Sequence, residues 1–224
     1  MEKKDGISKP RPESPEDTIG AESVERYALS LGYKVEADFS RHLVLCEIVN
    51  GDMDRFSRRG FVEGWLSIPI NHNMEEHKTY LANRTKQLPT DPSLFKKVYR
   101  HSFFAMMNRK ISTKALDKGT ALAAWALFFS PSLHCWKTPN VNWLEEWSAF
   151  LDEKWHRTIS KDMWNQTLEF ADKTMQDVTL GFWSEDQAWP GVIDDFVLWC
   201  RENKIVSSGK PEANSMDVDE DSIS

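Results

Sequence analysis

Apolar side chains recur at three- and four-residue steps through most of the chain, the spacing that lines one face of an α-helix. The clearest stretch follows Trp189-Pro190. There Val192, Ile193, Phe196, Val197 and Cys200 fall on one face and leave Asp194, Asp195 and Arg201 on or near the wet side. Proline's fixed φ and missing N–H suit the first helical position, so Pro190 is expected to open this helix. Upstream, Trp164, Leu168, Ala171 and Met175 define a second buried face, with Asp162 in the exposed first turn. The pattern predicts helices over 21–31, 36–49, 57–66, 73–88, 92–108, 116–130, 141–156, 161–178 and 190–203, and no convincing strand. An all-α fold is therefore expected. Some boundaries carry their own mechanism. Asp91-Pro92 pairs a cap with a proline at the first helical position, Ser130-Pro131 stops the helix of Trp125 and Phe128, and Ser160 can cap the next but one.

The chain's 224 residues, 40% of them hydrophobic, allow one domain of roughly 180 residues with a sizeable core. The boundaries expected are a disordered, proline-spaced segment at 1–17, a helical domain at 18–204, and a disordered, Ser- and acid-rich tail at 205–224. Ten tryptophans and twelve phenylalanines against ten glycines suit close helix packing. A net charge of −7 argues against a nucleic-acid face and favours basic partners. No run is long enough for a membrane span and the N-terminus lacks a signal peptide's apolar core, so a cytoplasmic or nuclear protein is expected. Cys46, Cys135 and Cys200 are odd in number and far apart, which supports reduced, mostly packed thiols.

Several sites suggest themselves and fail. Asn50-Gly51-Asp52-Met53-Asp54 alternates oxygen ligands like a calcium loop, but a loop starting at Asn50 has Arg55 where Gly is required and Phe61 where a bidentate Glu is required. Starting at Val49 ends on Gly60 instead. A relic of an EF-hand remains plausible, without a bound metal. The six histidines form no metal or nucleophile motif, and His134 and Cys135 are neighbours whose side chains diverge. Neither a catalytic residue nor a cofactor is expected. The run Glu75-Glu76-His77-Lys78 reads as a solvated helix face, and Trp125, Phe128, Trp143, Trp147 and Phe150 read as core.

An acidic surface near the C-terminus survives this elimination. Asp162, Glu185, Asp186, Asp194 and Asp195 accompany Ala188 and Trp189. For any one of these carboxylates the simplest account is that it complements a helix dipole. Together, carboxylates around a small apolar notch suit a partner bearing Lys or Arg.

The segments Ser160-Lys161-Asp162-Met163-Trp164-Asn165, Leu168-Glu169-Phe170 and Ala188-Trp189-Pro190-Gly191-Val192-Ile193-Asp194-Asp195-Phe196-Val197 resemble the defective-in-cullin-neddylation family, whose defining module is the potentiating-neddylation (PONY) domain. Weaker similarity runs upstream through Phe95-Lys96-Lys97-Val98-Tyr99, Ala123-Ala124-Trp125-Ala126-Leu127 and Phe56-Ser57-Arg58-Arg59-Gly60-Phe61. The resemblance implies an EF-hand-derived helical N-terminal lobe packed on a helical C-terminal lobe. It also implies a non-catalytic scaffold ligase that binds the winged-helix end of a cullin and recruits the conjugating enzyme charged with a ubiquitin-like modifier. The family's cullin dock, an Asp, Ala, Asp patch, falls on Asp162, Ala188 and Asp194. Its pocket for the acetylated N-terminus of the conjugating enzyme falls on Val24, Val44, Phe56 and Leu127, with Ala21, Arg41 and Ala105 where larger apolar groups are usual. The chain is expected to start after the helix that precedes the first EF-hand-like loop, without a ubiquitin-binding domain ahead of it. Readings from other classes are a helical adaptor using the same patch for an unrelated basic partner, outside neddylation, and a metal-dependent hydrolase.

Overall fold

The structure, a computed structural model, describes residues 17–32, 40–49, 55–107 and 114–206. Two loop-to-helix transitions meet at the N-terminal end. β1 (Thr18–Gly20) runs into α1 (Ala21–Ser30), and β2 (Arg55–Ser57) runs into α3 (Arg58–Leu66). β1 and β2 pair antiparallel with Ile19 opposite Phe56, so the segments that enter α1 and α3 are joined side by side, the loop-to-loop pairing of an EF-hand-derived lobe. Between them lies α2 (Ser40–Val44), which continues as a π-helical turn, Leu45–Val49. Ser57 caps α3 by accepting from the Gly60 N–H at 2.9 Å. Further along α3 the backbone crosses the π-helical turn so closely that a Cβ on Gly64 would lie 1.6 Å from the Ile48 carbonyl oxygen. Only glycine fits there. The calcium-like stretch Asn50–Asp54 falls outside the described residues.

α4 (Met74–Gln87) and α5 (Pro92–Met106) start on capping side chains, Asn73 and Asp91, with Pro92 in the first turn of α5 as expected. The C-terminal lobe adds α6 (Lys118–Phe128), α7 (Trp143–Lys154), α8 (Lys161–Gln176) and α9 (Gly191–Glu202). Two residues on each side, β3 (Ala115–Leu116) and β4 (Ile159–Ser160), pair antiparallel and tie the start of α6 to the start of α8. These four strands are not expected from the sequence. They are two or three residues long, too short for alternation to register. No described helix is long and apolar enough to cross a membrane.

Two buried clusters result. The smaller holds Leu31, Val44, Leu45, Ile48, Trp65, Ile68, Leu81 and Ala105. The larger fills the C-terminal lobe and includes Phe95, Val98, Tyr99 and Phe103 from α5, so α5 contributes to both. At the centre of the larger cluster Tyr99 stacks on Trp164 at 4.5 Å and Trp164 on Trp125 at 5.3 Å. Polar edges lock the stack. The Trp125 indole N–H donates to the Tyr99 hydroxyl at 2.8 Å, that hydroxyl donates to the Trp164 carbonyl at 2.8 Å, and the Trp164 indole donates to the Tyr99 carbonyl at 2.9 Å. α5, α6 and α8 are thereby joined through one buried, fully paired network. Phe196 joins α9 to α7 by edge contacts with Trp147 and Phe150.

The five core aromatics singled out in the sequence are all buried. Three expectations need correction. Met175 is exposed, and the buried face of α8 turns through Thr167, Phe170 and Thr174 instead, because Thr174 hides its hydroxyl by donating to the Ala171 carbonyl and accepting from Trp136. His77 is not part of a solvated face. It stacks on Trp65 at 3.5 Å and meets the Tyr27 hydroxyl at 3.3 Å. Pro190 is the cap of α9 rather than its first residue: its ψ of 138° is extended, while its carbonyl accepts from Ile193. Ile205 and Val206, just after α9, pack against the larger core.

Glu47, in the π-helical turn, is an acid inside this framework with only 8% of its side chain exposed. Arg84 of α4 grips it with two hydrogen bonds of 2.7 Å, and Lys97 of α5 approaches at 3.4 Å.

Replacing Tyr99 by Phe should lower unfolding free energy by about 1–3 kcal/mol, because the Trp125 N–H and Trp164 carbonyl lose their partner in the core. Urea unfolding followed by circular dichroism checks this; an unchanged midpoint would show that the network contributes nothing net. Burial opposes ionisation of Glu47, but the Arg84 hydrogen bonds and the Arg84 and Lys97 charges outweigh it and hold the acid below its ordinary value. A depressed folded-state value stabilises the fold above the unfolded carboxylate range, and that stability is lost as pH falls through about 4 and below. The stability gap between wild type and Glu47→Gln should therefore narrow from pH 7 to pH 3 in the same unfolding assay.

Candidate functional site

The acidic surface is built on the loop between α8 and α9. The loop leaves α8 through Asp177, whose Oδ1 accepts from the Thr179 amide at 2.9 Å and from its hydroxyl at 2.6 Å. Leu180 then takes a φ of 59°, a left-handed conformation that costs a non-glycine residue free energy and persists here because the side chain is buried in the larger core. Phe182 and Trp189 fold back against Phe170 of α8 at 5.6 and 5.7 Å. Gln187 braces the loop from within, donating to the Phe182 carbonyl at 3.0 Å and accepting from the Trp189 indole at 2.9 Å. Ala188 sits exposed between these two anchored residues.

Asp194 lies in the first turn of α9 and is only partly exposed. Its Oδ1 accepts from the Trp183 indole at 2.9 Å. The Arg201 guanidinium covers the Trp183 ring at 4.8 Å, so the indole is held on both sides. The hydrogen bond occupies one carboxylate oxygen and fixes the direction of the other. Among the described residues no cation comes within ion-pairing distance of Asp194 or Asp162, so the negative charge of each is unspent. Trp183 was not singled out in the sequence. It is eleven positions from Asp194, and the chain between them turns back at Ser184–Gln187, where the Gln187 amide donates to the Ser184 carbonyl, to bring the two together.

Asp162 stands exposed in the first turn of α8, whose cap, Ser160, accepts from the Met163 amide at 3.1 Å. It lies two turns before Phe170, or about 12 Å along the helix axis. Ala188 and Asp194 are thus held by one braced loop, while Asp162 comes from a neighbouring helix start and does not touch them. A shallow recess of about 350 Å³ lies between the C-terminal end of α7 with the segment that follows it and the start of α9. It is lined by Lys154, Trp155, His156 and Arg157 from the segment leading towards α8, and by Asp195 from α9.

The second candidate site is only partly described. Val44 is buried in the smaller core beside Ala105, and Leu127 is half-buried on α6, outside that cluster. Val24 and Phe56 fall in α1 and β2, but their side chains lie outside the described residues, as do those of Ala21 and Arg41.

Nothing described resembles a reaction centre. Burial pushes the Cys46 thiol up to about 11 and raises that of Cys200 further, which leaves both poor nucleophiles at neutral pH. His134 is held by Asp172 at 2.8 Å and stacked on Phe95 at 4.6 Å. No group of three or more His, Cys, Asp or Glu side chains among the described residues could hold a metal ion. What the geometry offers is a rigid acidic surface with a small exposed apolar spot.

Comparison with known proteins bears on that surface. A family model described as cullin binding matches residues 76–199, a span that contains Asp162, Ala188 and Asp194. The chain is 39% identical over 208 residues to defective in cullin neddylation protein 1 of Pyricularia oryzae, covering 88% of this chain and 73% of that protein. It is 34% identical over 163 residues to the protein of the same name from Cryptococcus neoformans, covering 64% and 56%. Against DCN1-like protein 3 of Xenopus laevis it is 32% identical over 194 residues, covering 84% and 59%. The chain thus spans nearly three quarters of the first relative and a little over half of the other two.

Proposed function

The chain belongs to the cullin-binding, defective-in-cullin-neddylation family, and from that premise we propose that it serves cullin neddylation as a scaffold. Asp162, Ala188 and Asp194 take the basic surface of a cullin's C-terminal winged-helix region, while the N-terminal lobe receives the conjugating enzyme that carries the ubiquitin-like modifier. The observation that carries this reading is the latched Asp194: an unneutralised carboxylate aimed by Trp183 beside an exposed alanine on a braced loop. A carboxylate held this way forms a charge-assisted bond without paying to order its own side chain. Ala188 supplies a place where a partner's aliphatic stem can approach the backbone.

No catalytic side chain is needed for such a role. Holding the charged conjugating enzyme and the cullin on one rigid body replaces their encounter in solution by a local one, at effective concentrations on the order of millimolar. It also restricts the angle at which the acceptor lysine meets the thioester. The shared helix α5 and the paired Tyr99 network support this, since they join the two lobes without a flexible linker among the described residues.

Charge reversal tests the dock. Asp162→Lys and Asp194→Lys should each weaken binding of a purified cullin C-terminal domain by about 2 kcal/mol or more while leaving the circular dichroism spectrum unchanged. Ala188→Arg should block binding through bulk and charge and still fold, because the position is exposed. If all three fold and bind normally, the surface belongs to some other partner.

The conjugating-enzyme side is tested by calorimetry with N-terminal peptides. An acetylated methionine should bind and its free-amine counterpart should bind at least tenfold more weakly, because an ammonium is costly in an apolar pocket. Equal affinities would mean that the conjugating enzyme docks elsewhere.

A further inference from the structure

The recess beside the dock differs from it in charge. Lys154 and Arg157 bring two cations and Asp195 one carboxylate to its lining, with His156 and the face of Trp155 between them. Lys154 leans towards Glu153 at 2.8 Å. Arg157 has no carboxylate within ion-pairing distance among the described residues; its guanidinium lies over the Trp155 ring at 5.8 Å. That stacking steadies a flat fork of donors whose hydrogen-bonding edge is left without an acceptor. The residues of the recess are also close in sequence to the two dock carboxylates. Asp195 follows Asp194 in the first turns of α9, and Arg157 precedes Asp162 by five residues through β4, which is anchored to β3 by the Ile159–Leu116 pairing.

We infer that the docking surface is charge-alternating: a carboxylate side chain of the bound cullin enters the recess and pairs with Arg157 and Lys154, flanked by the basic side chains that meet Asp162 and Asp194. This rests on the cullin-dock reading. Asp195, inside the same recess, repels an acid presented alone and accepts one presented next to a Lys or Arg, so the lining selects an acidic residue beside a basic one. An acidic patch by itself attracts any cationic surface. A basic recess next to such a patch rejects partners that lack an acid at the matching place and fixes the register of those that have it.

The test uses the full chain and a purified cullin C-terminal domain. Arg157→Glu and Lys154→Glu should each weaken binding by roughly tenfold, in the range of charge reversals at interfaces. Among single Asp or Glu to Lys substitutions on the cullin's winged-helix surface, one should weaken binding to the wild-type chain and restore binding to Arg157→Glu. Asp194→Lys is measured in parallel. If it abolishes binding while Arg157→Glu changes nothing, or tightens it, the recess does not receive an acid and the inference falls while the dock stands. If neither variant affects binding, or the wild-type chain binds no cullin, the dock reading falls and takes this one with it. Inorganic phosphate is titrated as a control. Saturable binding that Arg157→Glu removes, without any change in cullin affinity, would make the recess a small-anion site and overturn the inference.

Discussion

Three aromatic rings and the polar groups at their edges hold the C-terminal lobe in one arrangement. Tyr99, Trp164 and Trp125 come from α5, α8 and α6, and each both stacks on a neighbour and hydrogen-bonds across the stack. Stacking alone tolerates sliding of one ring over another. The three hydrogen bonds, all shorter than 3 Å, do not, because each connects a ring edge to a fixed backbone carbonyl or to the one buried hydroxyl. The register of α8 against α5 and α6 is therefore fixed by these bonds. Asp162 at its start and Phe170 in its middle inherit that register.

The loop between α8 and α9 depends on Phe170 in turn. Phe182 and Trp189 pack against it, Leu180 takes a left-handed conformation with its side chain in the core, and the chain turns back at Ser184–Gln187 so that the Trp183 indole reaches Asp194. The surface is consequently more rigid than its place in a loop suggests. Its side chains are ordered before any partner arrives, which lowers the cost of association.

Much of this was legible in the sequence, and the exceptions share a cause. The helices of α1 to α9 follow from apolar spacing, and the caps at Asp91 and Ser160 from side chains whose partners lie three residues away. The acidic surface was visible as clustered carboxylates, and the trio Asp162, Ala188 and Asp194 within it came from the family resemblance carried by residues 160–170 and 188–197. Features that depend on residues far apart in the chain were hidden: the strand pairs, which join segments of two or three residues; His77, which looks solvated until Trp65 is laid over it; the Trp183 latch; and the recess joining 154–157 to Asp195. Hydropathy misjudged Met175 and Thr174 for another reason. A threonine whose hydroxyl is satisfied within its own helix and by Trp136 is as easily buried as a thioether.

α5 contributes Ala105 to the smaller core and Phe95, Val98, Tyr99 and Phe103 to the larger, and α2 and its π-helical continuation are divided in the same way, with Leu43 and Cys46 on one side and Val44, Leu45 and Ile48 on the other. No cut through the backbone separates the two cores cleanly. A fragment trimmed to the C-terminal helices would either lose one wall of its interior or carry α5 with an unmatched apolar strip open to water, and such a strip invites self-association. Dissecting the molecule into two independent lobes is closed off by the way its helices are shared, so both lobes fold and unfold as one object.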